Sequence, residues 1–148
     1  MSLAEDLRQF QSPFIDTAVV IYHIEAHPAL GPVAREVVHT FRVGARRAYT
    51  PVMTLVEVLR RPVAAGNEAL AEKFIHILAH TRNLELLGAS AQIAERAGRL
   101  RAKYRGLKAA DAIQLSAALC ARAEAFVTND VDLRRVDELR IIVPSDYM

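Results

Sequence analysis

The sequence predicts an α/β fold: a three-layer α/β/α arrangement around a mostly parallel central sheet, in a single domain spanning residues 1–148. Three observations predict it. Short apolar runs of strand length alternate with helices or helix pairs, the pattern of a sheet covered on both faces. The stretch Lys108–Asp132 joins a helix that is apolar on nearly every side to a short apolar strand, and such elements are buried ones. Finally, 52% of residues are apolar and 24% charged, enough for a real core in 148 residues.

Residues 1–12 are polar and mixed and read as a short arm or an extra turn. Pro13-Phe14-Ile15 is a first strand leading into Asp16-Thr17. A helix over Ala18–Ala26 follows, and His27-Pro28 ends it. Val33, Ala34, Val37, Val38 and Phe41 keep i, i+3/i+4 spacing, so 32–42 is an amphipathic helix closed by Gly44. Arg46–Thr50 is a second strand, stopped by Pro51. Thr54 opens a helix containing Glu57, and Pro62 and Gly66 break it. Asn67 caps a helix over 68–81 that buries Leu70, Phe74, Ile77 and Leu78. Leu84–Leu87 is a third strand. Ser90 caps a helix over 91–104, Gly106 breaks it, and the apolar helix starts at Ala109. Ala125-Phe126-Val127 is a fourth strand, ending in the turn Thr128-Asn129-Asp130. One helical turn over 131–136 and a last strand, Arg140–Val143, complete the chain.

Composition narrows the classes. No run of about 18 apolar residues and no signal-peptide pattern occurs, so neither membrane spanning nor secretion is expected. The single cysteine, Cys120, has no partner for an internal disulfide and suits a reducing cytoplasm. A net charge of +2 leaves contact with nucleic acid to the placement of the charges.

Ligands of such sheets bind beyond the carboxyl ends of the strands. Asp16 falls there after strand one and Asp130 after strand four. Glu57 lies one turn into the helix after strand two, and Asp111 in the first turn of the helix feeding strand four. No basic residue adjoins any of the four in sequence, and none at helical spacing obviously pairs with Asp111 inside the core. Four acids on one rim repel one another unless a cation lies between them, and hard oxygen ligands suit Mg2+ or Mn2+. Such ions lower the pKa of a bound water and stabilise charge developing on a phosphate. Each acid also has a simpler reading. Asp16 and Asp130 can cap the helical segments that follow them, Thr54-x-x-Glu57 matches a capping box, and Asp111 with Gln114 is a looser version. Four separate caps leave unexplained why every one is acidic and on the same rim.

Over nearly its whole length the chain resembles PIN-domain proteins of the VapC toxin type. The segments that carry the likeness are Phe14-Ile15-Asp16-Thr17, Thr54-Leu55-Val56-Glu57-Val58-Leu59, Ala110-Asp111-Ala112-Ile113-Gln114-Leu115 and Phe126-Val127-Thr128-Asn129-Asp130, in that order. The resemblance implies a PIN-like fold and a metal-dependent endoribonuclease using Mg2+ or Mn2+. It implies Asp16, Glu57, Asp111 and Asp130 as the acidic set, with Thr128 assisting through its hydroxyl. Asp132 competes with Asp130 for the fourth place. It further implies a homodimer, silenced by a small antitoxin and acting on RNA. Lys108-Ala109-Ala110 departs from the Thr-Pro that many relatives carry before the third acid.

Other features are weaker. Arg96, Arg99, Arg101, Lys103, Arg105 and Lys108 form an acid-free basic stretch, suited to phosphates or simply to solvent. Arg46-Arg47 and Arg60-Arg61 are similar. His23/His27 and His76/His80 are i, i+4 pairs without the third ligand of a zinc site. Tyr104 is the best placed tyrosine to stack on a base. The apolar stripes of helices 33–41 and 68–78 are expected to leave surface for a second copy. Rival functions are a PIN-like nuclease in RNA processing or acting on DNA, and a non-catalytic Mg-binding interaction domain. A phospho-acceptor domain needs a late strand-end lysine, and no lysine follows Lys108.

Overall fold

A computed structural model describes residues 2–44 and 47–148. Arg46, the expected start of the second strand and half of one arginine pair, lies outside the described residues. The chain runs α1 (Leu3–Arg8), β1 (Pro13–Ile15), α2 (Thr17–Ile24), α3 (Gly31–Val43), β2 (Ala48–Pro51), α4 (Met53–Ala64), α5 (Glu68–His80), β3 (Leu84–Leu87), α6 (Ala91–Lys103), α7 (Ala109–Cys120), β4 (Ala125–Val127) and β5 (Arg140–Ile142). A 3-10 turn, Val131–Arg135, joins the last two strands, and a second, Pro144–Tyr147, ends the chain. All five strands are parallel, in the order β3-β2-β1-β4-β5.

Side chains of a strand alternate between faces, so each short strand splits its apolar residues between two cores. Ile15, Ala48, Ala125, Val127 and Ile142 join the core under α1 to α5. Phe14, Tyr49, Phe126 and Ile141 join the core under α6 and α7. Phe14 and Phe126 lie opposite each other in the β1/β4 register, their rings stacked with centroids 5.3 Å apart. The crossovers explain the layering. β1 to β2 and β2 to β3 cross by helix pairs on one face, whereas β3 to β4 crosses by α6 and α7 on the other. Each parallel connection needs such a crossover.

Three expectations change. Residues 1–12 are not merely an arm. Ser2 and Glu5 form a reciprocal capping box that starts α1, and Leu3 and Leu7 are buried in the first core. Pro62 does not break α4, which continues to Ala64. Near a helix end its missing N–H costs one hydrogen bond, and the residue is buried. The apolar stripes of α3 and α5 are not open surface. Val33, Ala34, Val37, Val38, Phe41, Phe74 and Leu78 are covered by the chain's own core. Among the described residues no helix is long and apolar enough to cross a membrane.

Candidate functional site

The strand order reverses at β1, with β2 and β3 on one side and β4 and β5 on the other. Such a reversal opens a crevice beyond the carboxyl ends of the strands. The sheet ladder continues one residue past β1 and β4, and so fixes the residues that enter it. The Asp16 N–H donates to the Val127 carbonyl at 2.9 Å, and the Thr128 N–H to the Ile142 carbonyl at 3.0 Å. A cavity of about 490 Å³ lies there, and Asp16, Glu57, Asp111 and Asp130 all line it. Asp132 is exposed and is not among the lining residues.

Asp16 is the buried member, 8% exposed. Its carboxylate accepts from the Thr128 hydroxyl at 2.6 Å and from the Ala18 N–H at 3.4 Å, and the Gln114 side-chain amide is a third group that favours its charged form. Burial raises its pKa above the ordinary aspartate value. These three groups oppose the rise and the Asp130 charge adds to it. Asp111, half-buried in the first turn of α7, is also raised, first by burial and then by the charges of Asp16 and Asp130. Lys108 pulls it down. Lys108 was not expected to act on Asp111. It sits three residues earlier, at the N-cap of α7, outside the core, and its side chain reaches the same cavity.

The capping alternatives divide cleanly. Asp16 caps α2, and Asp130 caps the 3-10 turn by accepting from the Asp132 N–H at 3.0 Å. Glu57 and Asp111 cap nothing. The N-cap of α4 is Val52 and that of α7 is Lys108, neither with a side-chain bond. Thr54 and Gln114 instead reach across to α2. Thr54 Oγ1 lies 2.9 Å from both Thr17 Oγ1 and Thr50 Oγ1, and Gln114 Oε1 accepts from the Thr17 N–H at 3.2 Å. Capping therefore does not account for two of the four acids. Thr128 holds the remaining pair together, donating to Asp16 and accepting from the Asp130 N–H at 3.1 Å.

Four carboxylates around an open cavity offer hard oxygen donors of the kind Mg2+ or Mn2+ takes. Among the described residues, no three His, Cys, Asp or Glu side chains stand close enough together to hold an ion as they are placed. The donor chemistry fits an ion that keeps several waters and bonds directly to only one or two carboxylates, the usual mode for Mg2+. Mutual charge repulsion, the second cause of the Asp111 shift, is what such an ion would relieve.

The other polar features fall outside this cavity. Tyr104 is not open to stack on a base: the residue is 8% exposed, and its hydroxyl donates to Glu138 while accepting from the Asp137 N–H. Lys103 and Arg135 lie 5.2 and 6.0 Å from the ring centre. In the basic stretch, Arg99 pairs with Glu95, Lys103 with Glu138, and Arg101 donates to the Leu107 carbonyl. Arg61 pairs with Glu25, and Arg47 with Glu85. His27 accepts the Ala29 and Leu30 N–H groups at Nδ1, so that nitrogen is not open to a metal. His76 and His80 stack at 4.1 Å on an exposed face. Sequence reading missed Thr17, Thr50 and Thr54 as a buried set. Gln114 was noticeable as a polar residue in an apolar helix, since a buried amide must find partners.

No curated protein matches the sequence. Among solved structures, the chain resembles VapBC2 of Rickettsia felis, bound to a promoter DNA fragment, with a TM-score of 0.71 and 18% identity over 89% of this chain and 98% of that one. It also resembles a toxin–antitoxin complex from Klebsiella pneumoniae, at 0.68 and 22% identity over 89% and 97%. VapC20 of Mycobacterium tuberculosis, a toxin that cleaves the sarcin–ricin loop, follows at 0.64 and 16% over 86% and 98%. At these identities the likeness is one of fold. The PIN domain model matches residues 14–139, from β1 through the crevice acids to the loop before β5, and the chain belongs to the PIN domain family.

Proposed function

We propose that this protein is a metal-dependent endoribonuclease that hydrolyses RNA phosphodiester bonds, acting in the cytoplasm as the toxin of a type II toxin–antitoxin pair. The observation that carries the proposal is the convergence of Asp16, Glu57, Asp111 and Asp130, from four separate segments, on one cavity at the switch point of the sheet. These are the residues that would hold Mg2+ or Mn2+. A divalent ion bound there supplies a lowered pKa for an attacking water and neutralises charge on the phosphate.

The remaining chemistry belongs to this chain's residues. Thr128 keeps the Asp16 carboxylate oriented into the cavity, and its own hydroxyl is fixed by the Asp130 N–H. Lys108 is the lining residue with positive charge, suited to a non-bridging phosphate oxygen. Arg60, Arg96 and Arg105 are exposed and offer positive charge suited to the backbone of a longer substrate.

The similarity to toxin–antitoxin complexes supports a small cognate antitoxin, and an arginine of that partner reaching the carboxylates would silence them. A homodimer finds support on α4 rather than on α3 and α5. Val52 at its N-cap, and Val56 and Val63 within it, are 43, 70 and 50% exposed. Val52 also borders a small apolar hollow with Leu87, Ile113 and Ala117. Such a patch suits a partner surface.

Purified protein is expected to cleave single-stranded RNA with Mg2+ or Mn2+ and not with EDTA. Asp111→Asn removes one anionic donor while keeping the shape, and is expected to lose most of the activity. Unchanged cleavage by both Asp16→Asn and Asp111→Asn proteins refutes the assignment.

A further inference from the structure

We infer that Thr17, Thr54 and Gln114 are positioning residues that set the spacing of Asp16, Glu57 and Asp111, an inference that rests on the proposed nuclease reading of the cavity. The support is a directed chain of buried hydrogen bonds that encircles Asp16. Thr50 Oγ1 donates to the Ile15 carbonyl at 2.9 Å. A hydroxyl has one proton, so Thr50 must accept from Thr54 in their 2.9 Å contact. Thr54 has then spent its proton and must accept from Thr17, also at 2.9 Å. The direction is therefore forced: Thr17 to Thr54 to Thr50 to the Ile15 carbonyl. It leaves the chain one residue after Asp16 and returns one residue before it.

Two of the links from Thr17 reach elements that carry another acid. Thr54 stands three residues before Glu57 on α4. Gln114 stands three residues after Asp111 on α7, and accepts the Thr17 N–H through Oε1. That bond uses the amide oxygen and leaves the amide nitrogen on the side chain that opposes the rise of the Asp16 pKa. Thr17 thus ties α2 to α4 by its hydroxyl and to α7 by its amide. Thr50 and Thr54 are fully buried, Thr17 is 7% and Gln114 5% exposed, so water does not replace a lost link. None of Thr17, Thr54 and Gln114 caps the helix it belongs to, and Thr50 lies in β2. Their hydrogen bonds are spent on holding three acid-bearing elements in register. Phosphoryl transfer depends on such placement, and a misplacement of about 1 Å costs about 100-fold in rate.

The test uses Thr54→Val, which keeps the shape and removes both links of the hydroxyl, with Thr54→Ser as the variant that keeps them. Thr17→Val and Thr17→Ser form a second pair, should Thr54→Val fail to fold. Three quantities are measured at 25 °C: Mn2+ affinity of the RNA-free protein by titration calorimetry, kcat and KM on single-stranded RNA, and the melting temperature. The valine variants are expected to weaken Mn2+ binding several-fold and lower kcat by about 10- to 100-fold with little change in KM. The serine variants are expected to recover most of both. A lower melting temperature with Mn2+ affinity and kcat unchanged makes the chain purely structural and overturns the inference. A native protein that neither binds Mn2+ nor cleaves RNA overturns the functional reading itself, whatever the variants do.

Discussion

Replacing Asp111 with Asn changes the charge of the cavity and little else, because Asp111 caps no helix and makes its contacts as a charge. Its pKa lies above the ordinary value of 3.8, through burial and then through Asp16 and Asp130. In the metal-free protein near neutral pH, Asp111 is therefore a destabilising anion. Two like charges about 4 Å apart repel by about 1 kcal/mol in water and about 4 near a protein surface. Asp111 is only half-buried and Lys108 opposes the repulsion, so solvent screening brings the total to about 1.5–2 kcal/mol. Asn also gives up about 0.5 kcal/mol of attraction between a carboxylate and the helix N-terminus. The net gain is about 1 kcal/mol, or about 2–4 °C in melting temperature for a chain of this size. The sign with pH follows from the raised pKa. The folded state holds the Asp111 proton more tightly than the unfolded state, so the stability due to that proton is full below about pH 3.8. It is lost as pH rises through the folded value. The advantage of Asn is thus full at pH 7 and vanishes toward pH 4. Millimolar Mn2+ at about 100 times its Kd stabilises the native protein by about 2.7 kcal/mol, and the Asn protein much less. Thermal melts of both proteins in EDTA and in Mn2+, at pH 7 and pH 4.5, decide the matter. Equal melting temperatures in EDTA at pH 7, with no differential response to Mn2+, refute the reasoning and return the acids to separate local roles.

Other consequences are open to similar measurement. Lys108→Ala is expected to weaken RNA binding several-fold while tightening Mn2+ binding, because the cation that opposes the acids is gone; filter binding and calorimetry read the two directions. Thr128→Val leaves the Asp130 N–H without its acceptor and Asp16 without its shortest donor, and is expected to cost about 1–3 kcal/mol in denaturant melts and most of the cleavage activity. Phe126→Ala removes a fully buried ring stacked on Phe14 and is expected to cost about 3–5 kcal/mol, read as a lower urea midpoint with an unchanged slope. Val56→Asp is expected to shift a dimer toward monomer in light scattering at micromolar concentration, with no loss of fold, since its side chain is exposed.

Local sequence alone determined most of the element order. Strand alternation placed Phe14 and Ile15 on opposite faces, and the i, i+3/i+4 spacing of Val33 to Phe41 marked α3, because periodicity reports which side is buried. It also placed the acids at strand ends or in first turns, so the rim on which they meet was legible before any coordinates. Local signals failed where one residue serves two purposes. Ser2-x-x-Glu5 and Thr54-x-x-Glu57 share the capping-box pattern, yet only the first is one. Thr54 is fully buried against α2, and a buried hydroxyl bonds whatever polar group the tertiary fold brings near it. Tyr104 likewise reads as an accessible ring until Glu138, 34 residues on, takes its hydroxyl. The apolar stripes of α3 and α5 say that a face is covered, not by what. Only the folded chain decided that its own strands cover them, that Lys108 joins the acids, and that Asp130 rather than Asp132 lines the cavity. These are contacts between segments far apart in sequence, and their geometry depends on strand order and crossover side, which no local pattern encodes.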